Sequence, residues 1–353
     1  MFINRTDRIL HNPAQLNYGI AITDVDGDGE FEAVVAGYGF SNLVLKWVNG
    51  ALQNVTPPAL TDPHRQAIGV AAADVDADGQ EEIYILNTDT YSGPKRFADR
   101  LFDRADGEWV DLFALPIHRH ILNLTSGRSV AAVDRFGRGV YGFIVANYGG
   151  PLRLYELSED GLLCDAAGAA AVDYAADARS LLALPILTKR QDIFVGNENG
   201  PNLLFVNNGD GTFAEVAEEM SIHDPAQNAR GVAALDANAD GQFDIACANW
   251  EGPHRLFMQS AHGPFEDAAP AAFRAPSRAR TMIAADFDND GRVEIFINHI
   301  DEPNRLFGFR NHAWVPLEIG DALEQKALGT GAAVADFDGD GQLELLIAHG
   351  ERV

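Results

Sequence analysis

Cysteine is nearly absent: the 353 residues contain two, Cys164 and Cys247. They lack C-x-x-C spacing and fall in different repeats, so they read as isolated buried thiols rather than as a disulfide framework or a thiolate metal site. Basic residues are scarce as well. Lys and Arg number 26 against 52 Asp and Glu, which gives a formal charge of −26. An excess of that sign excludes attraction to nucleic acid or to anionic membranes through bulk charge. No apolar run is long enough to span a bilayer. The opening Met1-Phe2-Ile3-Asn4 has neither a basic start nor an apolar h-region, so no signal peptide is read there. Catalytic signatures are missing too: there is no H-E-x-x-H, no G-x-S-x-G and no P-loop. The ten histidines are scattered without metal-ligand spacing, and His254 reads as a turn residue rather than a general base.

What the chain has in quantity is self-similarity. The string D-V-D-G-D-G-E-F-E begins at Asp24, and D-V-D-A-D-G-Q-E-E begins at Asp74. D-A-N-A-D-G-Q-F-D begins at Asp236, D-F-D-N-D-G-R-V-E at Asp286 and D-F-D-G-D-G-Q-L-E at Asp336. Successive starts lie 50 residues apart, except for a gap between 74 and 236 that leaves room for two further repeats. Arg128-Ser129-Val130-Ala131-Ala132-Val133-Asp134 repeats the lead-in, but Arg135-Phe136-Gly137-Arg138 replaces the acidic loop. Arg179-Ser180-Leu181-Leu182-Ala183 repeats it again, with no acid between Pro185 and Arg190. A fixed period of this length is the mark of a repeat architecture.

Each repeat carries signals for four short strands. An apolar run precedes the loop, as in Gly231-Val232-Ala233-Ala234-Leu235, and another follows it, as in Phe243-Asp244-Ile245-Ala246-Cys247. A third strand carries a recurring Leu-Phe, at Leu101-Phe102, Leu204-Phe205, Leu256-Phe257 and Leu306-Phe307. Hairpin signals at Asn49-Gly50, Asp106-Gly107, Asp160-Gly161 and Asp210-Gly211 lead to a fourth. Short strands in units of this size predict an all-β, seven-bladed β-propeller, with residues 1–353 as a single domain. The last repeat ends before its third strand, and Phe2-Ile3-Asn4-Arg5-Thr6 is expected to supply a strand to that blade.

The loops offer hard oxygen ligands at positions 1, 3, 5, 7 and 9. In the first these are Asp24, Asp26, Asp28, the Glu30 carbonyl and Glu32; in the second, Asp74, Asp76, Asp78, Gln80 and Glu82. The others use Asp236, Asn238, Asp240, Gln242 and Asp244; Asp286, Asp288, Asp290, Arg292 and Glu294; and Asp336, Asp338, Asp340, Gln342 and Glu344. Calcium accepts six to eight such oxygens in flexible geometry, whereas magnesium dehydrates too reluctantly for such a cage. A metal-free Asn/Asp/Gly turn would explain one loop. Five in register, each concentrating like charges, point to about five calcium ions. The Asn238 loop has one carboxylate fewer and is expected to bind most weakly. Repetition assigns the ions a structural role, because an active site needs one special constellation.

The D-x-D-x-D-G-x-x-[DE] loop resembles the FG-GAP or VCBS repeat of integrin α-subunit propellers and of secreted bacterial proteins. A wider likeness covers nearly the whole chain. Gln15-Leu16-Asn17-Tyr18-Gly19, Gly127-Arg128-Ser129-Val130-Ala131, Glu198-Asn199-Gly200-Pro201-Asn202, Gly252-Pro253-His254-Arg255-Leu256 and Gly320-Asp321-Ala322-Leu323 are similar to segments of the cartilage acidic protein family, in a bacterial-type form. The resemblance implies a secreted, extracellular or periplasmic calcium-binding propeller with an integrin-like scaffold and no enzymatic activity. It also implies a leader and a C-terminal domain that this chain does not display.

One constellation is independent of the loops. Arg128, Arg179, Arg230 and Arg280 each begin the first strand of a repeat, at the end opposite the Asp loop. Turns on that side bring Tyr38, Tyr91, Tyr148 and Trp250, with Asn147, Asn197, Asn249 and Asn298. Guanidinium groups among aromatics suit an anionic ligand on a protein or an acidic glycan. The competing expectation is that each arginine pairs with a neighbouring acid such as Glu198, Glu251 or Asp301. The chain is therefore expected to be a monomeric, non-catalytic protein- or glycan-interaction module. The alternative is a calcium-dependent polysaccharide lyase or hydrolase, which would need a deep pocket holding a carboxylate or lysine of shifted pKa.

Overall fold

Small residues fill the first strand of every repeat, and the computed structural model shows why: these strands crowd around one central channel. The structure describes residues 2–105, 107–158, 160–260 and 263–350. The first antiparallel sheet holds β1 (Asn17–Thr23), β2 (Glu32–Gly37), β3 (Leu43–Val48) and β4 (Ala51–Asn54), and the second β5 (Ala67–Ala73), β6 (Glu82–Asn87), β7 (Arg100–Ala105) and β8 (Glu108–Asp111). An eight-stranded sheet follows. It joins β9 (Gly127–Val133), β10 (Gly142–Pro151), β11 (Arg153–Leu157) and β12 (Leu163–Asp165) to β13 (Ala175–Leu184), β14 (Asp192–Asn197), β15 (Leu203–Asn207) and β16 (Phe213–Glu215). The link is the far end of β10, where Tyr148 pairs with Asp177. Two more four-stranded sheets are β17 (Ala229–Leu235), β18 (Asp244–Asn249), β19 (Arg255–Ser260) and β20 (Gly263–Asp267), then β21 (Ala279–Ala285), β22 (Glu294–His299), β23 (Arg305–Arg310) and β24 (Ala313–Pro316). Last come β25 (Gly329–Ala335) and β26 (Glu344–His349).

The strands β1, β5, β9, β13, β17, β21 and β25 each lie against the next, and β25 returns to β1. Glycine permits this approach at Gly19, where a Cβ would come within 2.8 Å of the Gly69 Cα. Five of the second strands, β2, β6, β14, β18 and β22, are buried along their whole length. They are packed on both faces by neighbouring sheets and therefore read as continuous apolar runs. The chain is thus an all-β propeller.

The four Leu-Phe pairs fall on β7, β15, β19 and β23, where the Phe side chains are buried. At Asn49-Gly50 both residues have positive φ, 52° and 85°, which fits the two-residue hairpin turn expected there. Of the other expected turns, Asp106 lies outside the described residues. The N-terminal segment departs from expectation. Phe2 makes one parallel bridge to Gly320 and packs its ring on Phe287, 5.1 Å away, and on Phe296. Thr6–Arg8 is a 3-10 turn and Ile9 bridges to Leu52. Among the described residues the sheet of β25 and β26 therefore gains no strand from Phe2–Thr6.

Candidate functional site

Each Asp-rich loop connects an innermost strand to the next strand, and all five share one hydrogen-bond scheme. The position-1 carboxylate accepts the N–H of the position-6 glycine. The distances are 2.8 Å for Asp24 and Gly29, 3.0 Å for Asp74 and Gly79, and 2.9 Å for the pairs Asp236–Gly241, Asp286–Gly291 and Asp336–Gly341. These glycines have φ between 81° and 91°, a region costly for any residue with a Cβ. The position-5 aspartate accepts the N–H of position 7, for example Asp78 from Gln80 at 2.7 Å. The closing acid uses one oxygen to accept the N–H of position 2: Glu32 from Val25, Glu82 from Val75, Asp244 from Ala237, Glu294 from Phe287 and Glu344 from Phe337, at 2.6–3.1 Å. Its other oxygen has no further partner among the described residues in Glu82 and Glu344, whereas in Asp244 it accepts the Gln259 N–H at 2.7 Å and in Glu32 and Glu294 it meets a basic side chain of the third strand.

This geometry fits a hard cation. In four of the loops three carboxylates each bring an oxygen within 4.8 Å of one another: Asp24, Asp26 and Glu32; Asp74, Asp76 and Asp78; Asp286, Asp288 and Asp290; and Asp336, Asp338 and Glu344. The Asp236 loop, with Asn238, forms no such triad among the described residues. In the second loop burial pushes the Glu82 carboxyl up to about 8, and Asp76 and Asp103 add to the shift. Such a cluster is relieved by a divalent ion.

Sequence reading missed the residues that the third strand brings to the loops. Register places Lys46 of β3 opposite Glu32. Its ammonium lies 2.6 Å from Asp26, 2.7 Å from Asp28 and 2.9 Å from Glu32. Burial opposes its charge, but those carboxylates hold its pKa above the ordinary lysine range. In the sixth repeat Arg310 reaches Asp288 at 2.7 Å, Glu294 at 3.0 Å and Asp290 at 3.4 Å. In the second repeat the third strand contributes a carboxylate instead: Asp103 clusters with Asp76 and Glu82. No fixed offset from the loop marks them, because the turn between the second and third strands is longer in the second repeat than in the first and sixth.

The two repeats without the acidic string close differently. Arg135 ion-pairs with Glu156 at 2.7 Å and donates to the Gly211 carbonyl at 2.6 Å. Asp192 is buried and accepts from Leu187 N, Thr188 N, Thr188 Oγ1 and Asn207 N. Among the described residues neither repeat gathers a carboxylate triad like those above.

At the other end of the inner strands the structure brings the four arginines together. Each stands at a break in strand register, between Gly127 and Ser129, Ala178 and Ser180, Ala229 and Gly231, and Ala279 and Thr281. A bulged residue leaves the ladder, and here its side chain lines the channel, a cavity of about 280 Å³. Arg179 pairs with Glu198, and Arg230 reaches the other Glu198 oxygen at 2.6 Å. Tyr91 and Tyr148 pack ring to ring at 5.3 Å and carry Arg128 and Arg179 on their faces, 4.5–5.4 Å from the ring centres. Trp250 carries Arg230 at 4.9 Å. Tyr38 instead packs on Tyr18, 5.2 Å away. The asparagines expected at this mouth are buried, and three close turns by donating to prolyl carbonyls: Asn147 to Pro151, Asn197 to Pro201 and Asn249 to Pro253. Of the acids expected to pair with this ring, Glu198 does so, whereas Glu251 pairs with Arg278 at 2.9 Å.

His254 is buried rather than at the surface of its turn. Its Nδ1 accepts the Asn249 N–H at 3.0 Å, its Nε2 lies 2.8 Å from Ser277 Oγ, and that oxygen lies 2.7 Å from His299 Nε2. All three side chains are at most 2% exposed, so this Ser–His arrangement has no access to substrate. The two cysteines are unpaired. Among the described residues no helix is long and apolar enough to cross a membrane.

Comparison with known proteins agrees with this geometry. Residues 24–85, 188–247 and 236–297 match a model of the FG-GAP-like repeat. Cartilage acidic protein 1 of Xenopus tropicalis is 46% identical over 313 residues, covering 79% of this chain and 48% of the relative. The human protein of that name is 46% identical over 297 residues, covering 76% and 45%. A crystal structure of BBS1N in complex with ARL6DN, soaked with mercury, superposes with a TM-score of 0.61 at 11% identity, covering 95% of this chain and 91% of that one. This likeness is one of fold alone. The chain spans about half the length of the curated relatives it matches, and it is a homologue of cartilage acidic protein 1 that carries FG-GAP-like repeats.

Proposed function

We propose that this chain is a seven-bladed, calcium-stabilised propeller that acts outside the cell as a non-catalytic interaction module. The ring of seven inner strands supports the blade count. The shared loop scheme supports about five calcium sites, at the positions 1, 3, 5, 7 and 9 given above. Ligand affinities of extracellular calcium modules, on the order of 10⁻⁴–10⁻³ M, suit an exported protein. The residues would hold the ion and thereby tie each inner strand to its neighbour; the ion supplies only charge and coordination.

The partner is an acidic protein or glycan that docks on the arginine and aromatic mouth of the channel. One observation carries this reading: four guanidinium groups converge on a single cavity, and among the described residues only two of them, Arg179 and Arg230, pair with a carboxylate, that of Glu198. Against the lyase or hydrolase alternative, no acid, histidine or lysine among the described residues lines that cavity. The test is a binding screen against acidic glycans and acidic protein ligands, with and without calcium. A ligand retained by the wild type and lost in Arg230→Ala and Arg280→Ala supports the reading. Affinities unchanged in both variants overturn it.

A further inference from the structure

We propose that the channel mouth is a binding site for a tetrahedral dianion of the sulfate class, held chiefly by Arg280 and Arg128. The inference rests on the reading of the arginine face given above and assigns it a ligand chemistry. Arg179 and Arg230 share the Glu198 carboxylate. Arg128 donates to the Tyr91 carbonyl but has no carboxylate partner among the described residues. Arg280 has neither a hydrogen bond nor an ion pair among them. The Nε atoms of Arg128 and Arg230 are buried without a partner. Buried charge without compensation is costly, and four guanidinium groups around one cavity add mutual repulsion. The same physics appears in their acidity: burial first, then the neighbouring arginines, push Arg128 and Arg280 down to about 10.

The shape of the missing partner follows from what Glu198 already does. A carboxylate is planar with two oxygens, and Glu198 uses one for each of two adjacent arginines. The donors that remain come from opposite ends of the arginine arc. An anion with oxygens facing several directions and a double charge matches them better than a second carboxylate. Inorganic sulfate and the sulfate ester of a glycan share this chemistry.

The test uses the full chain in calcium-containing buffer. Sodium sulfate is titrated against sodium chloride of matched ionic strength and followed by calorimetry and thermal melting. A sulfated disaccharide and its desulfated form make up the second arm and separate the free ion from the glycan source. Sulfate is expected to bind and to raise the melting temperature where chloride does not. Arg280→Gln is expected to weaken binding at least tenfold, yet to melt no lower than the wild type without sulfate, because it removes an unpaired charge. Arg280→Lys, which keeps the charge and loses the fork, should fall between them. Arg96→Gln, which removes a side chain that is 80% exposed and pairs with Asp89, should leave the sulfate affinity unchanged. A chloride effect equal to that of sulfate, or unchanged sulfate affinity in Arg280→Gln, overturns the site. If an acidic partner still binds in either of those cases, the interaction-module reading stands without this one.

Discussion

The ammonium of Lys46 lies 2.9 Å from the Glu32 carboxylate, inside the loop whose acids would ligate calcium. A tethered cation there competes with a free one. Replacing it should uncover the competition. Lys46→Gln in EDTA is expected to melt about 1–2 °C below the wild type, the shift that about 1 kcal/mol produces in a chain of this size. In millimolar calcium the loss should disappear, because the freed carboxylates bind the ion more tightly. Differential scanning calorimetry of both proteins, with and without calcium, decides the matter. A deficit that calcium does not rescue would assign Lys46 a purely structural role.

Calcium removal should act unequally on the five loops. At a free concentration ten times Kd, one site contributes about 1.4 kcal/mol and five about 7 kcal/mol, so EDTA should lower the melting temperature by on the order of 10 °C. The Asp74 loop has the added carboxylate of Asp103 and no resident cation, and is expected to be the tightest. The Asp24 and Asp286 loops, which hold Lys46 and Arg310, should be the weakest, below the Asn238 loop that composition alone ranks last. Isothermal titration of the wild type and of Asp76→Asn tests the order. The variant should lose the tightest step, and a single class of equal sites would refute the ranking.

Among the described residues Glu198 is the one acid that pairs with the four arginines. Glu198→Gln removes the only carboxylate shared by Arg179 and Arg230. Breaking a buried pair from one side costs about 3–5 kcal/mol, so chemical denaturation should show a large drop in stability. Added anion should restore part of it, because the vacated position then accepts the ligand's oxygens. A stability unchanged within about 0.5 kcal/mol would mean that the arginines are compensated elsewhere.

The repeats, the hydrogen-bonded acidic loops and the convergence of the four arginines were legible because each depends on local chemistry at a fixed period. Asp24 and Gly29 meet within one turn, and the pattern states as much. Arg128 and its counterparts could be placed at the channel because they open the first strand of each repeat. Lys46, Asp103 and Arg310 were not legible. Their roles depend on register across two strands, and the hairpin lengths that set register vary from repeat to repeat. The N-terminal segment was misplaced for a related reason. An apolar Phe2 suits a strand or a plug equally, and only tertiary packing against Phe287 and Phe296 decides. The asparagines of the turns point to a general ambiguity: a polar residue at a mouth can face the ligand or close the turn beneath it, and composition does not distinguish the two.

Acid should weaken the protein through two histidines that have no part in ion binding. Burial, then the charge of Arg305, holds His254 at about 4; the same causes, with His254 added, hold His299 at about 3. The hydrogen bonds favour the neutral rings. His254 Nδ1 accepts from Asn249, so its Nε2–H donates to Ser277, whose hydroxyl then donates to His299 Nε2. A folded pKa below the unfolded value of about 6.5 means that the unfolded chain takes up protons first. Stability is therefore full above pH 6.5 and falls as pH drops toward the folded values. Between pH 7 and 5 the loss should be about 2 kcal/mol for each histidine, in a window that lies above the range where most carboxylates titrate. Urea denaturation of the wild type and of His254→Gln/His299→Gln at pH 7, 6 and 5 provides the measurement. The variant should start less stable, having lost the Ser277 bridge, and show a flatter pH dependence. Parallel slopes in the two proteins would place the acid sensitivity elsewhere.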